Sequence, residues 1–102
     1  MNNKLTLVRQ KAKPGKRDEV RRVWEKYVRA YADGNDGFQS VFYCYDDKDP
    51  DAAIVISLAA DAAAQEQFAM QPWVADYQKE TASLLAAQPE VLTATPQYVK
   101  GA

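Results

Sequence analysis

The chain has 102 residues, 47% hydrophobic and 26% charged, with one cysteine, no histidine and a net charge of −1. This is the composition of an ordinary globular domain. It leaves no ligand set for a zinc site or a histidine-held haem, and no histidine for a catalytic triad.

Lys4 to Lys13 alternates as a strand, with Leu5 and Leu7 on one face and Val8 and Ala12 on the other. "KPGK" ends it, because Pro14 removes a donor and Gly15 permits a turn. From Lys16 the period changes. Val20, Val23, Trp24, Tyr27, Val28 and Tyr31 form one apolar helical stripe, opposite Arg21, Arg22, Glu25, Lys26 and Arg29. "ADGNDG" stops that helix, with two glycines available for positive φ. "FQSVFYCY" (38–45) and "AAIVISLA" (52–59) read as strands, separated by the acidic turn "DDKDPD". Asp61 is placed to cap a helix beginning "AAAQEQF". Pro72 suits the first turn of a second helical segment with the stripe Trp73, Tyr77, Thr81, Leu84 and Leu85. Residues 90–99, "EVLTATPQYV", form a last, weaker strand.

The order β-α-β-β-α-β over residues 1–102 predicts one α+β, ferredoxin-like domain: a four-stranded antiparallel sheet with two helices on one face. The strands 38–45 and 52–59 carry apolar side chains on both faces, yet two helices cover only one face of such a sheet. A second copy of the chain is the simplest cover for the other, so a homodimer is expected.

Charge divides unevenly. Residues 1–31 carry ten Lys/Arg against three acids, and residues 32–102 carry three against eleven. The total lacks the positive excess that favours phosphate binding, so the asymmetry reads as a basic helix face and acidic turns. RNA-recognition domains share this element order but stack bases on aromatics in their first and third strands. Here those strands, "LTLVRQ" and "AAIVISLA", have none, and no nucleic-acid partner is expected. The acidic turn lacks the glycine and distal glutamate of a calcium loop, so no metal site is expected there either. Nor does any apolar run reach the ~20 residues of a membrane helix. With no secretory-type apolar core near residue 1 and one unpaired Cys44, a cytoplasmic location is expected. What remains is an aromatic set that includes Tyr27, Tyr43, Phe68, Trp73 and Tyr77. Much of it reads as core, and it is also the material of a mainly apolar cavity for a small aromatic ligand. Arg9 could add a charge there.

Three stretches, "KPGKRDEV", "DGF" and "DKDPDAAIVISLAADAAAQEQFAMQPW", make the chain resemble the antibiotic biosynthesis monooxygenase family of dimeric α+β barrels. The resemblance implies oxygenation of a small aromatic, quinol-like or polyketide substrate without metal, flavin or other cofactor, the substrate anion itself reducing dioxygen. It implies that Trp73 and Tyr43 pack and hydrogen-bond the substrate, and that Gln67 orients it. Arg9 would stabilise an anionic oxygen, and Tyr27, Phe68 and Tyr77 would line the pocket. Where the family often has an acidic residue and then an aromatic in the third strand, this chain has Ser57 and Ala59. Where it commonly has a histidine in the second helix, this chain has Gln67, which cannot act as a base near neutral pH. A non-catalytic dimer that binds a small ligand is therefore the alternative, with isomerase or decarboxylase activity a third.

Overall fold

The computed structural model describes residues 2–101. Strand β1 (Lys4–Lys11) leads into a helical layer, followed by strands β2 (Phe38–Tyr45) and β3 (Ala52–Ala59), helices α3 (Ala62–Ala69) and α4 (Val74–Ala82), and strand β4 (Glu90–Ala94). The first helical layer is continuous but changes pitch: α1 (Arg17–Trp24), a π turn (Glu25–Arg29), then α2 (Ala30–Asp33). The sheet order is β2-β3-β1-β4, and every pairing is antiparallel. This is the ferredoxin-like arrangement the sequence predicts.

Local chemistry explains most boundaries. Asp61 Oδ1 accepts the Ala64 N–H at 2.9 Å, the N-cap expected for α3. Gly15 adopts φ +77° in the turn after β1. The Gly34–Gly37 turn departs from expectation, because neither glycine there has positive φ. Gly37 N–H instead donates to Asn35 Oδ1 at 2.8 Å, and a Cβ at Gly37 would lie 2.9 Å from Ala64 Cβ. This glycine serves close approach, not backbone conformation.

The π turn was not foreseen. Val20, Trp24 and Val28, all buried, recur every four residues, and in a pure α-helix each such step drifts about 40° around the axis. One wider turn takes up part of that drift and keeps all three on the sheet side. β4 ends five residues earlier than its apolar pattern predicts. β1 also stops at Lys11, although backbone bonds from Lys13 N to Leu84 O and from Ala86 N to Lys11 O, each 2.8 Å, prolong its pairing. Ala12, Val20 and Leu85 form a buried cluster at that end. Among the described residues no helix is long and apolar enough to cross a membrane.

Strand parity divides the side chains cleanly. The register sets Thr6 beside Ser57, Val8 beside Val55, and Gln10 beside Ala53 on the helix side. Leu5, Leu7 and Arg9 face the other way with Leu58, Ile56 and Ile54. No element of the described chain covers that second face, where Phe42 is 56% and Leu92 64% exposed.

Candidate functional site

Between the sheet and the helices lies a cavity of about 580 Å³. Its floor comes from alternate strand residues. Val8 pairs with Val55 on one side and Val91 on the other, giving an apolar row across three strands. Thr6 and Ser57 lie one row to one side of it and Gln10 one row to the other, so the polar rows stand about 13 Å apart along β1. Trp24 and Val28 cover the floor from the first helical layer, Gln65 and Phe68 from α3, and Tyr77 and Thr81 from α4. Residues 77 and 81 share a face because they are one helical turn apart.

The two polar ends differ. At one, Gln65 Nε2 donates to Thr6 Oγ1 at 2.8 Å, a satisfied pair that ties α3 to β1. At the other, Gln10 Nε2 reaches the Tyr77 hydroxyl only at 3.5 Å, the weak limit of such a bond. Gln10 Oε1 and Thr81 Oγ1 are buried without a hydrogen-bond partner among the described residues. Burial pushes the Tyr77 phenol above its usual value, and the nearby Gln10 and Thr81 partly oppose that rise. Tyr77 thus stays protonated near neutral pH. Among the described residues the lining holds no carboxylate, thiol or cationic side chain. Its groups can orient a ligand and exclude water, but they are poor acceptors for a proton.

The seven residues proposed from sequence fall in different places. Phe68 and Tyr77 line the cavity. Trp73 stands behind them, its ring centroid 5.5 Å from Phe68 and 6.4 Å from Tyr77. Tyr27 stacks on Trp73 at 6.1 Å, and its hydroxyl donates to the Glu80 carboxylate. Tyr43 packs against Trp24 at 4.9 Å, its hydroxyl buried and unpartnered among the described residues. Gln67 is exposed on α3, since two residues of helix rotate it about 200° from Gln65. Arg9 projects from the other sheet face, where it pairs with Asp49 at 3.3 Å and Asp46 at 3.7 Å. Those carboxyls titrate below their ordinary values: Lys11 hydrogen-bonds Asp49, and the Lys48 N–H bonds Asp46. Ser57 and Ala59, the positions that depart from the family pattern, both line the cavity. Gln10, Gln65 and Thr81 were not singled out. The signal available was a polar residue on an otherwise apolar face: Gln10 between Val8 and Ala12, and Thr81 between Tyr77 and Leu85.

This geometry defines a ferredoxin-like α+β domain with a mainly apolar cavity between its sheet and helices, lined among the described residues by no charged side chain. The chain belongs to the antibiotic biosynthesis monooxygenase family, whose sequence model matches residues 6–80. Among solved structures it is similar to Rv0793 of Mycobacterium tuberculosis, at 16% identity and a TM-score of 0.85 over 98% of this chain and 100% of that one. It is similar to a variant of SnoaB, a cofactor-independent oxygenase from Streptomyces nogalater, at 15% identity and TM-score 0.84 over the whole of both chains. A protein of unknown function from Nitrosomonas europaea shares 21% identity and a TM-score of 0.82 over 98% of this chain and 94% of that one. No curated protein matches the chain by sequence.

Proposed function

We propose that the chain is a cofactor-independent monooxygenase that oxidises a small aromatic, quinol-like or polyketide-like molecule in this cavity. The observation that carries the reading is the cavity itself, lined by Phe68, Trp24 and Tyr77 and, among the described residues, by no charged side chain, in a chain of this family. In such a reaction an activated CH₂ group and dioxygen become a carbonyl and water, so the substrate supplies all four electrons and both hydrogens. The first proton leaves through the substrate's own acidity, because among the described residues the lining offers no base. The protein contributes orientation and a dry environment. Phe68 and Tyr77 contact the substrate, while Trp73 and Tyr27 hold those rings in place. Gln67 and Arg9, which lie off the cavity, take no part in this reading.

The test is oxygen uptake by the purified, chelator-treated protein with anthrone and with 1,4-naphthohydroquinone. The expected result is uptake above the buffer rate, with one atom of labelled dioxygen in the anthrone product. Uptake no faster than the buffer rate with both compounds would overturn it.

We also infer that two copies pair through the open sheet face. Leu5, Leu7, Ile54, Ile56 and Leu58 lie there together with the exposed Phe42 and Leu92, and an apolar surface of that extent favours a partner. A native mass spectrum showing only single chains would remove this inference.

A further inference from the structure

We propose that Gln10, Tyr77 and Thr81 form the seat for the hydroxyl group of a neutral, fused-ring aromatic alcohol. The inference deepens the reading of the cavity as a ligand site and rests on it. Gln10 and Thr81 are each only 4% exposed, and both line the cavity with Tyr77. Buried polar groups are normally paired, and an unpaired one costs stability. Here Gln10 and Thr81 converge on the Tyr77 hydroxyl, and two of their polar atoms are left over. The Gln10–Tyr77 contact is long at 3.5 Å, and Gln10 Oε1 and Thr81 Oγ1 have no partner among the described residues.

The missing partner has a definable chemistry. It must donate to the Gln10 carbonyl oxygen and accept from the Thr81 or Tyr77 hydroxyl. A hydroxyl group does both, whereas a ketone oxygen only accepts. Turning the Gln10 amide over exchanges the roles but leaves one end unpaired, and a hydroxyl still completes it. The ligand is neutral, because among the described residues no charged side chain lines the chamber to pair with a carboxylate or ammonium. It has more than one ring, because the apolar row of Val8, Val55 and Val91 separates polar rows about 13 Å apart.

Three probes of one ring system test this by titration calorimetry on the whole chain: 2-naphthol, naphthalene and 2-naphthoate. 2-Naphthol is expected to bind about tenfold more tightly than naphthalene, and 2-naphthoate to give no measurable heat. Thr81→Val keeps the side-chain shape and removes an unpaired hydroxyl. The variant should melt at the same temperature or higher while losing most of the preference for naphthol over naphthalene. Gln10→Leu should lose it too, with naphthalene affinity retained as the sign of an intact chamber. Equal binding of naphthol and naphthalene by the unaltered protein would overturn the seat and leave the chamber standing. So would an undiminished preference in both variants. Failure of all three probes to bind would overturn the chamber as a ligand site, and the seat with it.

Discussion

The two faces of the sheet are built from the same strands and do opposite things. In β1 the inward residues Thr6, Val8 and Gln10 alternate polar with apolar, and helices lie over them to leave a cavity. The outward residues Leu5 and Leu7 are followed by Arg9 and Lys11, so an apolar field ends in a charged border where Lys11 meets Asp49 at 2.6 Å. Charge is kept out of one face and confined to the margin of the other. The proposed neutral aromatic ligand suits the cavity side, and the proposed second copy suits an apolar field with a salt-bridged rim. A one-residue shift of register would exchange the two sets and abolish both.

The largest expected effect comes from breaking the open face. Phe42 is more than half exposed in the single chain, so Phe42→Asp should cost the isolated subunit little. In a pair it buries an unpaired carboxylate, a penalty of about 3 kcal/mol or more, which weakens association over a hundredfold. Sedimentation velocity should show a single-chain species with an unchanged circular dichroism spectrum. A Phe42→Asp protein that still pairs would place the contact elsewhere and leave the apolar field unexplained.

The covered face depends on the first helical layer sealing it, and Val20, 1% exposed, is the tightest point of that seal. Val20→Ala removes about two methyl equivalents from a packed site and should cost about 2 kcal/mol, read from urea midpoints. Association should be unaffected, which separates this variant from Phe42→Asp. A loss below about 0.5 kcal/mol would mean that the helix settles onto the sheet and closes the gap.

Much of this arrangement was legible because strand parity and helical stripes are direct consequences of geometry. "FQSVFYCY" and "AAIVISLA" became β2 and β3 residue for residue, and Asp61 capped α3 as its chemistry requires. The site was less legible. Arg9 and Gln10 are neighbours with opposite destinations, and only knowing which face meets the helices tells which of them enters the chamber. Gln65 and Gln67 pose the same problem on a helix, where a 200° rotation decides between a bond to Thr6 and solvent. The π turn was hidden because a four-residue spacing fits an α-helical stripe until its drift is added up over two turns. At Gly37 a Cβ would meet Asn35 Oδ1 at 2.8 Å and Ala64 Cβ at 2.9 Å, and the second of these, 27 positions away, is one that no local pattern can announce.

The smallest effect tests the boundary between the two faces. Tyr43 is an inward residue of β2, flanked by the outward Phe42 and Cys44, and its hydroxyl is buried without a partner among the described residues. Burial pushes that phenol well above its ordinary value. The folded chain therefore holds the proton more tightly than the unfolded one. This stability is fully present below the unfolded value of about 10 and is lost as pH rises beyond it. Tyr43→Phe should thus be neutral or stabilising by up to about 1 kcal/mol at pH 7, since it removes an unpaired group without leaving a cavity. Above pH 10 the variant should lose stability less steeply than the unaltered protein. Some decline persists, because burial also raises Tyr77. Urea midpoints from pH 7 to 11 measure both. An identical alkaline slope in the two proteins would mean that the Tyr43 hydroxyl reaches water in solution, and that the helix layer opens along β2 rather than sealing it.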